Sequence, residues 1–322
     1  MCNVSDKIAE DSALEKYLYE NGGPVVGYGP FNKGYINILI HEECGNISQS
    51  NLKEIYDIFE IYAFKEDMSD VPVIFSIEKT PSFSVSEATE TMEKASALAV
   101  LGYNSSFRPV IGGVGMETSK LLSGTVGFAA IQNGTNQKGF VTAAHLSNFS
   151  RATVYQPLLL HPNGSVGSMN VNYTNIDAAF VPCNNVNGTK FYSKVLNNSS
   201  VRQYANGTEI NHSVGGYYGT IGNNYTVLKS GKATGLTSGT TIGYYNNYTF
   251  VGVKLDRLGV VEPCIGTGGD SGGPIFHIRE DGKAYLMGTI TGGSGTLGIN
   301  GRTYYTPCTE ITKLGYVPLF RE

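Results

Sequence analysis

At 322 residues the chain exceeds what one hydrophobic core usually absorbs, so two units, or a double-lobed domain with an extra piece, are expected. Charged residues make up 16% and the formal net charge is −4, which leaves no electrostatic case for a nucleic-acid or anionic-membrane partner. With 41 Gly, 21 Tyr and no Trp, the composition suits a β-rich protein with many tight turns, and no window approaches the roughly 18 apolar residues of a spanning helix.

The opening Met-Cys-Asn-Val-Ser-Asp-Lys has no apolar signal-peptide core. Yet the chain holds fourteen Asn-x-Ser/Thr triplets, from Asn3 to Asn247, where roughly four would arise by chance. That excess predicts a secreted glycoprotein, and secretion then requires that this start be truncated or misassigned. The five Cys, an odd number for a secreted chain, form no CxxC pair, so no zinc site or other cofactor is expected.

Two β-type runs, Tyr35–Ile40 and Val71–Ile77, flank an amphipathic stretch at Leu52–Phe64 (LKEIYDIFEIYAF) with apolar residues at helical spacing. Ser86–Leu101 reads as a second helix, with Ser84 and Glu87 at capping-box spacing. Residues 1–108 are therefore expected to be a small α/β or α+β module. From Ile111 onward, short Val, Ile, Tyr and Thr runs alternate with Gly and Asn turns, as at Gly124–Ile131, Gly139–Ala143, Thr241–Val251 and Ala284–Thr291. This pattern predicts an all-β unit of antiparallel barrels or sandwiches over 109–322, about the size of two packed six-stranded barrels.

Three stretches carry chemistry. Gly269-Asp270-Ser271-Gly272-Gly273-Pro274 places a hydroxyl on a Gly-flanked turn, where backbone N–H groups can meet an oxyanion and the approach stays clear. Gly139-Phe-Val-Thr-Ala-Ala-His145 delivers one imidazole at the end of an apolar strand, the rigid mounting a general base needs. His41, His161, His212 and His277 have no such context. Asp177, before the apolar run Ala178–Val181, is the sole Asp between Ser123 and Lys254 and is poised for burial at a strand start. Asp256, between Lys254 and Arg257, is a poorer candidate to orient an imidazole.

His, Asp, Ser in that chain order and in those contexts resembles the chymotrypsin-like serine proteases. The closer likeness is to the bacterial-type branch of α-lytic protease and the streptogrisins. Gly139–His145 is similar to their GFVTAGH, Lys229–Thr240 (KSGKATGLTSGT) to their (K/R)SG-x-TTG-x-x-CGT, Thr303–Glu310 (TYYTPCTE) to their TFFQPVTE, and Val110-Ile-Gly-Gly113 to their mature start. The resemblance covers about residues 111–320. It implies a trypsin-like double antiparallel β-barrel, and a monomer acting on protein or peptide substrates.

It also implies roles. Ser271 is the nucleophile, His145 the general base and Asp177 the residue that orients it. The N–H groups of Gly269 and Ser271 form the oxyanion hole. Asp270 needs a cationic partner when buried, which in this branch maps to Lys229 rather than to a new N-terminus. Ile265 or Gly266, Thr291, Gly292, Gly293 and Thr303 line the pocket for the residue before the scissile bond. No acid is among them and Gly293 leaves the pocket open, so an apolar or aromatic side chain is the expected occupant.

The departures from the branch concern its disulfides. Its Cys after the catalytic His and the strand partner become Leu146 and Gly124, and a second pair becomes Leu228 and Ser238. Cys264 lies one residue further from Ser271 than its counterpart. It has Cys308, Cys183 or neither as partner. The module before the segment that resembles the mature start is expected to be a pro-region that assists folding or inhibits, with cleavage near Phe107–Val110. The rival expectations are an attached regulatory domain, a catalytically dead binding module, and an esterase using the same triad.

Overall fold

The computed structural model describes residues 1–44, 47–78, 82–83, 86–87, 106–107, 110–157, 159, 164–171, 175–183, 191–196 and 211–319. The N-terminal module opens on helix α1 (Cys2–Glu10), which buries Val4 and Ile8, one turn apart. Strands β1 (Val25–Phe31) and β2 (Tyr35–His41) form a hairpin in which Tyr28 faces Ile38. Helix α2 (Gln49–Lys65) starts where the Ser48 hydroxyl accepts a hydrogen bond from the Asn51 N–H at 3.2 Å. Its buried face, Ile55, Phe59 and Ala63, recurs every four residues. Strand β3 (Val73–Glu78) then lies parallel to β2, so α2 is the crossover of a β-α-β unit.

Two differences from the sequence reading stand out here. Helix α1 and strand β1 were not anticipated; β1 (VVGYGPF) holds two Gly and a Pro, which blur a strand signal. And Ser86, expected to begin a helix, is in a strand. Two short strands, β4 (Ser82–Phe83) and β5 (Ser86–Glu87), precede the β-rich region, and residues 88–101 of the expected helix lie outside the described residues.

The remainder is mostly β. In chain order come β6 (Val110–Gly112), β7 (Gly115–Thr118), β8 (Leu122–Thr125), β9 (Phe128–Gln132), β10 (Gln137–Thr142), β11 (Ala152–Tyr155), β12 (Ser165–Met169), β13 (Ala179–Pro182) and β14 (Phe191–Leu196). Then follow β15 (Asn211–Tyr217), β16 (Thr226–Gly231), β17 (Gly235–Phe250), β18 (Val253–Glu262), β19 (Pro274–Ile278), β20 (Ala284–Ser294), β21 (Arg302–Pro307), helix α3 (Cys308–Lys313) and β22 (Tyr316–Pro318). One lobe joins the sheets β13-β10-β9-β22 and β12-β11-β7-β8-β5 around Val114, Met116, Val126, Phe140 and Leu146. The second is built on β17-β16-β19-β20, with β18 and β21 closing from β17 to β20, around Val227, Val261, Ile275, Ile290 and Tyr305. Phe128, Phe180, Phe276 and Leu286 pack between the lobes.

The module is not a loose appendage. Strand β1 pairs with the far half of β17, Tyr28 opposite Asn246 and Phe31 opposite Gly243, so β3-β2-β1-β17 is continuous. Val26, Phe31 and Leu39 share one buried core with Tyr245, Tyr248, Leu258 and Tyr304. Arg257 reaches Asp6 at 2.7 Å and Lys254 reaches Glu20 at 2.7 Å across the same seam.

Candidate active site

His145 and Asp177 are brought together by one strand pair. In the β10–β13 ladder Thr142 faces Ala179. His145 follows the first strand by three residues and Asp177 precedes the second by two, so the antiparallel pairing puts both at the same end. Asp177 then accepts twice from His145: Oδ2 lies 2.8 Å from ring Nδ1, and Oδ1 takes the backbone N–H at 2.9 Å. Both side chains are sealed from water, and the Thr306 hydroxyl donates to the Asp177 carbonyl at 3.2 Å. A buried carboxylate gripping Nδ1 leaves Nε2 as the ring nitrogen for proton exchange.

Ser271 sits on the turn between β18 and β19. Its carbonyl accepts the Thr125 N–H at 2.8 Å, and its hydroxyl lies 3.4 Å from the Thr291 carbonyl. Gly269 and Gly272 have φ of +97° and +82°, in the left-handed region that glycine enters at little cost. Gly272 also has no room for a side chain: a Cβ there would fall 2.1 Å from Thr142 Oγ1 and 2.9 Å from the Ala143 nitrogen. The nucleophile turn is thus pressed against the strand end that carries His145. Thr142 ties the same place together, donating to the Thr125 carbonyl at 2.8 Å. Thr125 in turn donates its hydroxyl to the Gly269 carbonyl at 2.8 Å.

Asp270 is fully buried and takes five donors. They are Lys229 Nζ at 3.1 Å, the Thr234 hydroxyl at 2.6 Å, and the N–H groups of Ala233, Thr234 and Thr267 at 3.0, 3.2 and 3.1 Å. Lys229, equally buried, also donates to the Gly235 carbonyl at 2.9 Å and to the Thr234 hydroxyl. Burial pushes the Lys229 ammonium below its usual range, and the neighbouring Asp270 carboxylate opposes that shift.

The pocket candidates converge beside this turn. Thr291, Gly292 and Gly293 form the end of β20, opposite Thr303 and Tyr304 of β21. The Ile265 N–H donates to the Thr303 hydroxyl at 2.8 Å. A Cβ on Gly293 would meet Cys264 Sγ at 3.4 Å, so the thiol borders this wall. Cys264 and Cys308 are both buried free thiols, so of its possible partners Cys264 takes neither, and burial pushes the Cys308 thiol up. At the first vanished pair, a Cβ on Gly124 would lie 2.3 Å from Leu146 Cδ1 and 2.9 Å from the Ser271 carbonyl: the Leu side chain occupies the space. At the second, Leu228 and Ser238 face each other across β16 and β17.

Sequence reasoning missed Thr234, Thr125 and Thr142 as supports of the nucleophile turn, and Cys264 as a neighbour of Gly293. Thr234 does lie inside the Lys229–Thr240 block that carries the resemblance, which was its available signal. His41, His212 and His277 lie apart from this cluster: His41 stacks on Tyr19, and the rings of His212 and His277 lie 2.9 and 2.7 Å from the Gly282 and Thr226 carbonyls. His161 lies outside the described residues.

These strands, turned about a Ser-bearing loop between two β lobes, make a mostly-β trypsin-like fold, that of the chymotrypsin-like serine proteases. Within that class the chain resembles the bacterial enzymes. The chymotrypsin of Cellulomonas bogoriensis is 26% identical, over 66% of this chain and 99% of that one, with a TM-score of 0.50. Nocardiopsis protease is 25% identical, over 65% and 98%, at 0.51. A glutamic-acid-specific serine protease that uses a histidine triad in substrate binding is 22% identical, over 65% and 100%, at 0.52, a likeness of fold alone. No protein-family model matches the chain, and no curated protein does.

Proposed function

We propose that the chain is a serine endopeptidase that works through Ser271, His145 and Asp177. The observation that carries this reading is the sealed Asp177–His145 pair, 2.8 Å at Nδ1, standing at the strand end against which the Ser271 turn is pressed. Ser271 Oγ attacks the scissile carbonyl while His145 takes its proton and later gives it to the leaving amine. Asp177 holds the ring and stabilises the imidazolium that forms between those two steps. The N–H groups of Gly269 and Ser271 receive the oxyanion, and their fixed placement is what makes such donors effective. The two β lobes are read as the paired barrels of the fold, with the catalytic groups between them.

The pocket reading favours an apolar or aromatic residue before the cut, because Ile265, Gly266, Thr291, Gly292, Gly293 and Thr303 present no charge. Residues 1–108 act as a pro-region that assists folding or inhibits; their shared core with β17 and β18 supports a stable association. The density of Asn-x-Ser/Thr triplets supports a secreted glycoprotein.

The deciding experiment uses the full chain, its Ser271→Ala variant and a fluorophosphonate probe. Wild type is expected to label at Ser271 and to hydrolyse casein, with the variant silent in both and its turnover lowered by about 10⁶-fold. Proteolysis that survives Ser271→Ala would sink the assignment. Labelling without casein hydrolysis, together with rapid turnover of small esters, would point to the esterase instead.

A further inference from the structure

Lys232, in the turn from β16 to β17, is a mostly buried cation without a counter-ion. Its ammonium donates to the Ser123 hydroxyl, and among the described residues no carboxylate pairs with it. Burial pushes the ammonium below the usual lysine range, and the Glu117 and Asp270 carboxylates oppose that shift from a distance. Both carboxylates are engaged elsewhere. Glu117 lies opposite Ser123 in the β7–β8 pair, and its Oε2 accepts the Leu159 N–H at 2.8 Å. Asp270 is held by Lys229, Thr234 and three backbone N–H groups. A desolvated charge left in this state favours any anion that can reach it.

The charge stands beside the candidate site. Alternation along β8 puts Ser123 and Thr125 on one face and Gly124, against Leu146, on the other. On the Ser123 face, the Thr125 hydroxyl donates to the Gly269 carbonyl at 2.8 Å and accepts the Lys232 N–H at 3.1 Å. Lys232 is thus rooted next to Gly269, and its side chain runs along β8 to Ser123. The Thr125 N–H also donates to the Ser271 carbonyl at 2.8 Å, whereas Ser271 Oγ lies 3.4 Å from the Thr291 carbonyl of β20. The residues read as the pocket for the side chain before the cut belong to β20 and β21, which leaves β8 to the leaving side. The edge of β8 away from β7 takes an added strand: β5 pairs there antiparallel, Ser86 opposite Ser123. Residues opposite each other in such a pair share a face, so a peptide residue in that register presents its side chain where the ammonium lies.

We propose that Lys232 selects substrates on the leaving side, by pairing with an Asp or Glu a few residues after the scissile bond. This rests on the endopeptidase reading. The substrate takes the place of β5 on the β8 edge, where main-chain pairing holds it largely whatever its sequence. The charge then decides between side chains. An acid opposite Ser123 gains a charge-assisted hydrogen bond from an ammonium that folding has already desolvated, and a lysine there meets a like charge. Lys232 takes no part in the bond-breaking steps. Because side chains alternate along an extended peptide, the selection falls on one position and spares its neighbours.

Internally quenched peptides test this on the full chain. Each carries Phe before the cut and Glu, Gln or Lys at the first, second or third position after it. Mass spectrometry locates the cut, and the fluorophosphonate probe counts active sites. In wild type, kcat/KM should be about tenfold higher for Glu than for Gln at a single position, and lower again for Lys there. Lys232→Met should bring that Glu-to-Gln ratio close to unity, Lys232→Arg should keep it, and Lys232→Glu should turn the preference toward Lys. Equal wild-type rates on the Glu and Gln peptides overturn the proposal and leave the endopeptidase standing, whether or not the variants fold. A preference that survives Lys232→Met, or one spread evenly over all the positions, does the same. Wild type that takes the label but cuts none of the peptides also overturns it. Wild type that neither labels nor cuts removes the endopeptidase reading and this proposal together.

Discussion

Asp177 and Asp270 are both sealed from water, and both stand next to the groups assigned to the chemistry, yet they are held in opposite ways. Asp177 gives both its oxygens to one residue, through the ring and the backbone N–H of His145. Asp270 spreads its charge over five donors, three of them backbone N–H groups that cannot move or titrate. A carboxylate that steadies a proton carrier must leave that carrier able to gain and lose charge. A carboxylate that fixes a turn must never be left alone. The difference teaches that burial by itself does not mark a catalytic group; the kind of partner does.

Substitutions can break that contrast. The largest effect is expected for Asp177→Asn, which keeps the shape but not the charge: kcat on a peptide substrate should fall by about 10⁴-fold, while the urea midpoint moves little. A midpoint that collapses instead would place Asp177 with Asp270 as a scaffold residue. Lys229→Met should do the reverse. It strands a buried carboxylate and is expected to cost about 3–5 kcal/mol in urea unfolding. Adding Asp270→Asn to it should recover part of that loss, and a Lys229→Met protein as stable as wild type would refute the clamp. The smallest of the three is Thr234→Val, which removes one donor to a charged group. About 1.5–3 kcal/mol is expected, with kcat per folded molecule unchanged.

The local features of the site were legible. His145, Asp177 and Ser271 each sit in a short stretch whose apolar or Gly pattern announces a strand end or an exposed turn, and α2 is plain from its four-residue spacing. Where the reading failed, a partner distant in sequence had decided. Strand β1 carries two Gly and a Pro, and it is a strand because β17, more than 200 residues on, offers a free edge and a shared core. Ser86 and Glu87 have the composition of a helix start, but they pair with β8. The lost disulfide at Gly124 and Leu146 could be read as an absence; that a leucine side chain occupies the space could not.

The sequence by itself determined the chemistry available: one hydroxyl on a Gly-flanked turn, one imidazole and one carboxylate at strand ends, and a lysine in a block resembling known proteases. These are local facts, because a turn or a strand end depends on residues a few positions apart. Only the tertiary structure decided which groups meet. It set the five-fold grip on Asp270, the pairing of β1 with β17, and the pairing of β4 with β20 and of β5 with β8. Each is a hydrogen-bond or packing choice between segments far apart in the chain, and backbone N–H and C=O groups, alike in nearly every residue, carry no mark in the sequence of the partner they will take.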